Sequence, residues 1–190
     1  MPEQGPVLLA IARHAIAAQL GLNGESSRPE TDWLAEPGAC FVTLHKHGAL
    51  RGCIGSLLTH RPLGKDVAAN ACAAAFQDPR FPPLTRDEFA QVNIEVSVLS
   101  KPEPIFPANE AALLAMLRPG VDGLILEYGA HRSTFLPQVW EQLPKPEQFL
   151  AHLKQKGGLP ADFWHADMRV SRYSVTAYAE KPAEKPEVAS

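Results

Sequence analysis

Apolar side chains recur at Leu8, Ile11, Ala12, Ala15, Ile16 and Leu20, the spacing of one helix face. The spacing predicts a helix over 6–20, with Gly21 at its C′ position. Residues 21–37 are polar and rich in Gly, Ser and Pro, and read as a surface loop. The pattern then changes period. Phe41-Val42-Thr43-Leu44 is a β-rich run, His47-Gly48 fits a two-residue turn, and 49–58 would return antiparallel. An alanine-rich helix follows over 62–77, with Val67, Ala71, Ala74 and Ala75 on its apolar face. Such small side chains allow close packing on a sheet. The helix stops before Asp78-Pro79, because a residue preceding proline avoids the α region. Residues 78–83 form a stiff connector.

Residues 93–100 alternate cleanly. Ile94, Val96 and Val98 take one face, and Asn93, Glu95, Ser97 and Leu99 the other. Asn109 caps a short helix through Leu117, ended by Pro119-Gly120. Residues 123–128 and 132–136 read as a second hairpin. Helices are predicted over 137–143 and 146–156, each with proline in its first turn, and Gly157-Gly158 ends the latter. A last strand covers 168–179. Hairpins and helices in mixed order, without regular βαβ alternation, predict an α+β fold with a largely antiparallel sheet. The domain is expected over 1–180, with a Lys/Pro/Glu-rich tail at 181–190 expected to be disordered.

Composition narrows the function classes. The 190 residues are 45% hydrophobic and 21% charged, enough to bury a core. The net charge is −3, and no five like charges run together, so a phosphate-binding stripe is missing and nucleic acid is disfavoured as a partner. No apolar stretch has the length to span a bilayer, and Met1-Pro2-Glu3-Gln4 opens no signal-peptide pattern. Three cysteines without paired spacing argue against a disulfide framework, so a cytoplasmic, thiol-reducing setting is expected.

The chemistry concentrates at Arg51-Gly52-Cys53-Ile54-Gly55. In a strand, Arg51 and Cys53 would point the same way, and a guanidinium beside a thiol favours the thiolate. Gly52 and Gly55 would leave the backbone open to a ligand or another chain. The competing reading is a buried structural cysteine with Arg51 as an ion-pair partner. Glu95, in an otherwise apolar strand, must be paired or exposed; paired with Arg51 or Arg80 it is a general base or a fold-holding salt bridge. Asp78 and Arg80 flank Pro79 in the connector, either as site residues or as a turn locked by Asp78. His45 and His47 form an HxH pair but lack a third ligand at fixed spacing, so no metal site is assigned. Cys40 and Cys72 read as small hydrophobes. Ser56 and Ser133 lack a nucleophile-elbow context, and no phosphate-binding loop, dinucleotide fingerprint or CxxC pair occurs.

The segment Leu50-Arg51-Gly52-Cys53-Ile54-Gly55 resembles the hallmark of the AMMECR family. The similarity continues through Asp78-Pro79-Arg80-Phe81, Ile94-Glu95-Val96-Ser97-Val98-Leu99 and Phe135-Leu136-Pro137-Gln138-Val139-Trp140, in order along nearly the whole chain. The chain resembles the AMMECR-type component of the AmmeMemoRadiSam system, in which AMMECR-like, Memo-like and radical-SAM proteins are associated. The resemblance implies a barrel-like sheet flanked by helices, and two unequal lobes with a cleft. It implies polar site positions at Arg51, Cys53, Asp78, Arg80, Glu95 and Gln138. It implies no cofactor and names no reaction. Three functions compete. The first is an enzyme component acting through Cys53 with Arg51 and Glu95. The second is a binding or scaffold module for the Memo-like and radical-SAM partners, using Gly52, Gly55, Asp78, Arg80 and Gln138. The third is nucleotide or nucleic-acid binding at Arg51 and Arg80, which the charge balance disfavours.

Overall fold

The computed structural model describes residues 4–22 and 31–181. In chain order it contains α1 (Gln4–Gln19), α2 (Asp32–Ala35), β1 (Pro37–Lys46), β2 (Ala49–Gly55), β3 (Arg61–Pro62), α3 (Leu63–Phe76), α4 (Arg86–Phe89), β4 (Val92–Leu99), β5 (Glu103–Ile105), α5 (Glu110–Met116), β6 (Gly123–Tyr128), β7 (His131–Phe135), a 3-10 turn (Pro137–Glu141), α6 (Pro146–Lys156), β8 (Arg169–Tyr173) and β9 (Val175–Ala179). The chain divides into two compact units, one built from residues up to 98 and from 176 onward, the other from 99–175. The fold is α+β with antiparallel pairings, as the mixed order of elements predicts. Neither sheet closes into a barrel among the described residues.

In the first unit the strand order is β2-β1-β4-β9, with β3 paired to the start of β1. The β1–β2 hairpin turns at His47 and Gly48, whose φ values of 51° and 82° are the left-handed pair such a turn requires. Val42 and Leu44 of β1 and Ile94 and Val96 of β4 turn into one core with Leu8, Ile11, Ala12 and Ile16 of α1. Val67, Ala71, Ala74 and Ala75 of α3 complete it. A Cβ at Gly52 would lie 2.1 Å from the Ala74 carbonyl oxygen, so α3 touches β2 backbone to backbone. At Gly55 a Cβ would meet the Phe41 ring at 2.2 Å. The space beside both glycines is therefore filled by the chain itself. This corrects the expectation that they leave the strand open to a ligand.

The second unit orders its strands β5-β8-β6-β7. Its separate core stacks Trp140 on Phe149 at 3.8 Å among Leu113, Leu124, Leu126 and Leu153. Lys154 is fully buried there, its ammonium bonded to Glu110 and to the Ala161 carbonyl.

Several elements depart from the sequence pattern. The second strand ends at Gly55, not 58; the Ser56 N–H still bonds the Cys40 carbonyl at 3.0 Å, and its hydroxyl donates to Asp66 Oδ1 at 2.7 Å. The strand predicted over 168–179 breaks at Ser174, which exchanges bonds with Ser100: each backbone N–H donates to the other serine, at 2.8 Å. The helix predicted over 137–143 is a single 3-10 turn. The loop predicted over 21–37 contains α2 and the first residue of β1; its residues 23–30 and the tail from 182 on lie outside the described residues. No helix among the described residues is long and apolar enough to cross a membrane.

Gly52→Ala is expected to lower stability by about 2–4 kcal/mol, since a backbone carbonyl has to move. Gly64→Ala, where a Cβ finds ordinary contacts at 3.5 Å in the first turn of α3, should raise it by about 0.5 kcal/mol. Urea unfolding midpoints of the two variants check both signs.

Candidate functional site

Apart from Glu95, the predicted site residues of the first unit lie on β2 and on the connector bonded to its outer edge. In the hairpin register Leu44 faces Gly52 and His45 faces Leu50, so Arg51 has no partner opposite it and is the extra residue of a β-bulge. Bulges re-aim side chains and bend the strand. Arg51 is 7% exposed. Its Nε donates to Glu88 Oε2 at 2.9 Å, and its Nη2 donates to Glu88 Oε1 at 3.2 Å and to the Pro82 carbonyl at 2.7 Å. Its Nη1 is buried with no hydrogen-bond partner among the described residues. Arg51 and Cys53 make no bond with each other, so the expected Arg51–thiolate contact is replaced by the Arg51–Glu88 pair.

Cys53 pairs across the hairpin with Thr43, and its sulfur shares a hydrogen bond with Thr43 Oγ1 at 3.3 Å. Its backbone N–H points off the sheet edge and donates to Asp78 Oδ2 at 3.0 Å. Asp78 also accepts from the backbone N–H of Arg80 and from its guanidinium, the shortest contact being Nη2 to Oδ2 at 2.7 Å. Asp78 of the 78–83 connector thus takes an unpaired N–H on the outer edge of β2. Asp78 is both the turn lock and the clasp to Cys53. Arg80 remains half-exposed, at 55% of its side chain. Its guanidinium and that of Arg51 lie 5.5 and 5.8 Å from the centre of the same ring, Phe81.

The charges follow from these bonds. The Arg80 guanidinium, aided by the Cys53 and Arg80 N–H donors, holds the Asp78 carboxyl well below the usual carboxylate range against the opposing effect of burial. The Arg51 side chain, with help from Lys46, draws Glu88 down to about 2. Arg80 is raised by Asp78 first and also by the nearby Cys53 sulfur. Asp78 is therefore an acceptor and not a proton shuttle.

Glu95 sits between buried Ile94 and Val96, half-buried on the other face of β4. It makes no hydrogen bond or ion pair among the described residues. The pairings expected with Arg51 or Arg80 are not formed, because those arginines are taken by Glu88 and Asp78. Gln138 belongs to the second unit, exposed beside a shallow hollow with Pro119, Gly120 and Trp140.

Two features escaped the sequence reading. Glu88, the partner of Arg51, stands on α4, whose start carries a capping box: Thr85 Oγ1 accepts the Glu88 N–H while Glu88 reaches back. The Thr-x-x-Glu spacing was its visible signal. The second is a buried polar knot. Asp66 accepts from Cys40 N–H, Ser56 Oγ, Arg61 Nε and Asn70 Nδ2 between 2.7 and 3.1 Å. Burial, then the charge of Asp66, pushes the Cys40 thiol far up.

A family described as AMMECR1 matches residues 9–178. A protein of Methanothermobacter thermautotrophicus is 38% identical over 94% of this chain and 95% of its own. One from Methanocaldococcus jannaschii is 40% identical over 76% of this chain and 74% of its own. The crystal structure of an uncharacterized protein from Pyrococcus horikoshii superimposes with a TM-score of 0.76 at 34% identity, covering 96% of this chain and 94% of that one.

The two clasped carboxylates set an acid limit. Both have folded pKa values below their ordinary 3.8 and 4.5. Their stabilisation is thus full above those values and is lost as pH falls through the depressed ones. Urea midpoints should hold from neutrality to about pH 5 and fall below it. Glu88→Gln should lower the neutral midpoint and flatten that fall; an acid limb unchanged by the substitution would remove Glu88 from the account.

Proposed function

This chain belongs to the AMMECR1 family, and on that premise we propose that it is the substrate-handling component of a modification system, working with Memo-like and radical-SAM proteins. Cys53 is the thiol that meets the substrate. The observation carrying this reading is the placement of Cys53. It is a half-buried cysteine on an edge strand, held by its own N–H to Asp78 beside the half-exposed cation of Arg80. Cys40 is buried in the Asp66 knot, and burial raises the Cys72 thiol. Thiols of raised pKa carry less of the nucleophilic form. Three cysteines with none paired to another fit the cytosol, where thiols stay reduced.

A scaffold role is the second reading, favoured by how fully the hallmark segment is used in packing: Gly52 against Ala74, Gly55 against Phe41, Arg51 against Glu88. Strand addition at β2 is not part of it, because Asp78 already takes the Cys53 N–H on that edge. Paired to Glu88 and Asp78, Arg51 and Arg80 make no phosphate-binding stripe, so the nucleic-acid reading gains no support.

Native alkylation with iodoacetamide, read peptide by peptide across pH, separates the two roles. The thiol reading expects Cys53 to label first, Cys72 slowly, and Cys40 only on unfolding. Cys53 as slow as Cys40 leaves the scaffold reading. Co-elution with the Memo-like and radical-SAM proteins tests the partners; a chain that still elutes alone with both present sinks that part.

A further inference from the structure

A guanidinium buried to 7% exposure with one nitrogen unpartnered is costly, since the desolvation of its N–H groups is not returned. In Arg51, Nε and Nη2 meet Glu88 on one edge, leaving Nη1 on the other. The ring beside this guanidinium is Phe81, whose π face is a far weaker acceptor than an oxygen. The same ring borders Arg80. Phe81 is half-buried on the connector, between Arg80 and Pro82. Two cations thus share one apolar ring, Arg80 feels the Cys53 sulfur, and Arg51 has a bond to give.

We propose that Phe81 plugs a carboxylate-binding site, and that a substrate carboxylate takes the place of its ring between Arg51 Nη1 and Arg80, beside Cys53. The proposal rests on the reading of Cys53 as the thiol that meets the substrate and names the substrate class: a monoanionic carboxylic acid. The distances suit it. A carboxylate carbon bound through one N–H···O contact lies about 4–5 Å from a guanidinium carbon. The Phe81 centre lies 5.8 and 5.5 Å from the two guanidinium carbons, so a carboxylate there needs a shift of about an ångström. The charge suits it as well. While the Cys53 thiol holds its proton, Arg51, Arg80 and Lys46 against Glu88 and Asp78 leave three positive charges to two negative, a surplus of one. One carboxylate neutralises that surplus, whereas a phosphate dianion overshoots it. With the backbone held by Pro79, Pro82, Pro83 and the Phe81 N–H bond to Asp78 O at 3.1 Å, the site opens by rotation of the Phe81 side chain.

Iodoacetate and iodoacetamide deliver the same carbon to a thiol with and without a carboxylate. Each forms a sulfur–carbon bond, expels iodide and releases the thiol proton to water. The rate ratio of iodoacetate to iodoacetamide at Cys53, against that for neutral N-acetylcysteine amide, reads the site. The wild type should exceed the reference about fivefold or more, the scale of one partly desolvated charge pair. Phe81→Ala should raise the ratio further, and Arg80→Gln should bring it back towards the reference. Acetate, but not acetamide, should slow iodoacetamide labelling of the wild-type protein, a check that needs no variant. A ratio equal to the reference in wild type and in Phe81→Ala, with Cys53 still reactive to iodoacetamide, overturns the carboxylate site and leaves the thiol reading standing. A ratio that Phe81→Ala leaves unchanged overturns the role of Arg51 Nη1. Cys53 inert to both reagents in wild type and Phe81→Ala overturns the thiol reading and this inference together.

Discussion

The contact on which the first unit depends is the seating of the Ala74 carbonyl on the backbone of Gly52. Any side chain at position 52 would hold α3 off the sheet. With glycine there, the alanine face of α3 drops onto β2, and the core residues of β1 and β4 close around it. The position of β2 then sets the geometry of the site. Its bulge turns Arg51 towards Glu88, and its outer edge offers the Cys53 N–H to Asp78 of the connector. The hallmark segment is a packing motif before it is a chemical one, and the chemistry is what projects from a strand so fixed.

Polar clasps complete what the apolar core begins. Asp66 would be prohibitive as a lone buried carboxylate. With four donors around it, it ties the first turn of α3 to β1, to Ser56 and to Arg61. Arg13 does the same for the rear of the unit. It donates to the carbonyls of Phe89 and Val92 and to both oxygens of Glu180, which in turn accepts the Ile94 N–H. These bonds are directional where dispersion is not, and they select one register among those the apolar pattern alone would tolerate.

Much of this was legible in sequence, for physical reasons. The first hairpin announced itself by the β-rich run Phe41–Leu44 ahead of His47-Gly48, and α3 by its alanine spacing, because period and turn chemistry are local. The partners of charged residues are not local. Arg51 and Glu88 are 37 positions apart, and only the capping spacing at Thr85 hinted that Glu88 begins a helical turn. Glu95 misled because a carboxylate in an apolar strand demands an explanation, and half-exposure on the second face of β4 supplies one without a partner. Gly52 and Gly55 misled because sequence reveals the space a missing side chain leaves but not what fills it. The bulge at Arg51 has no compositional mark at all.

The reciprocal bonds between Ser100 and Ser174 have a topological meaning. They bring together the two ends of the segment that builds the second unit, while the strands on either side, β4 and β9, run on as neighbours in the first sheet. Residues 99–175 are thus an insertion between adjacent strands, entering and leaving at one point. On a ribosome the first unit must wait, its sheet lacking β9 and its Arg13 lacking Glu180, until the whole inserted segment has been made. The inserted unit is complete first, because its own last strand, β8, precedes β9 in the chain.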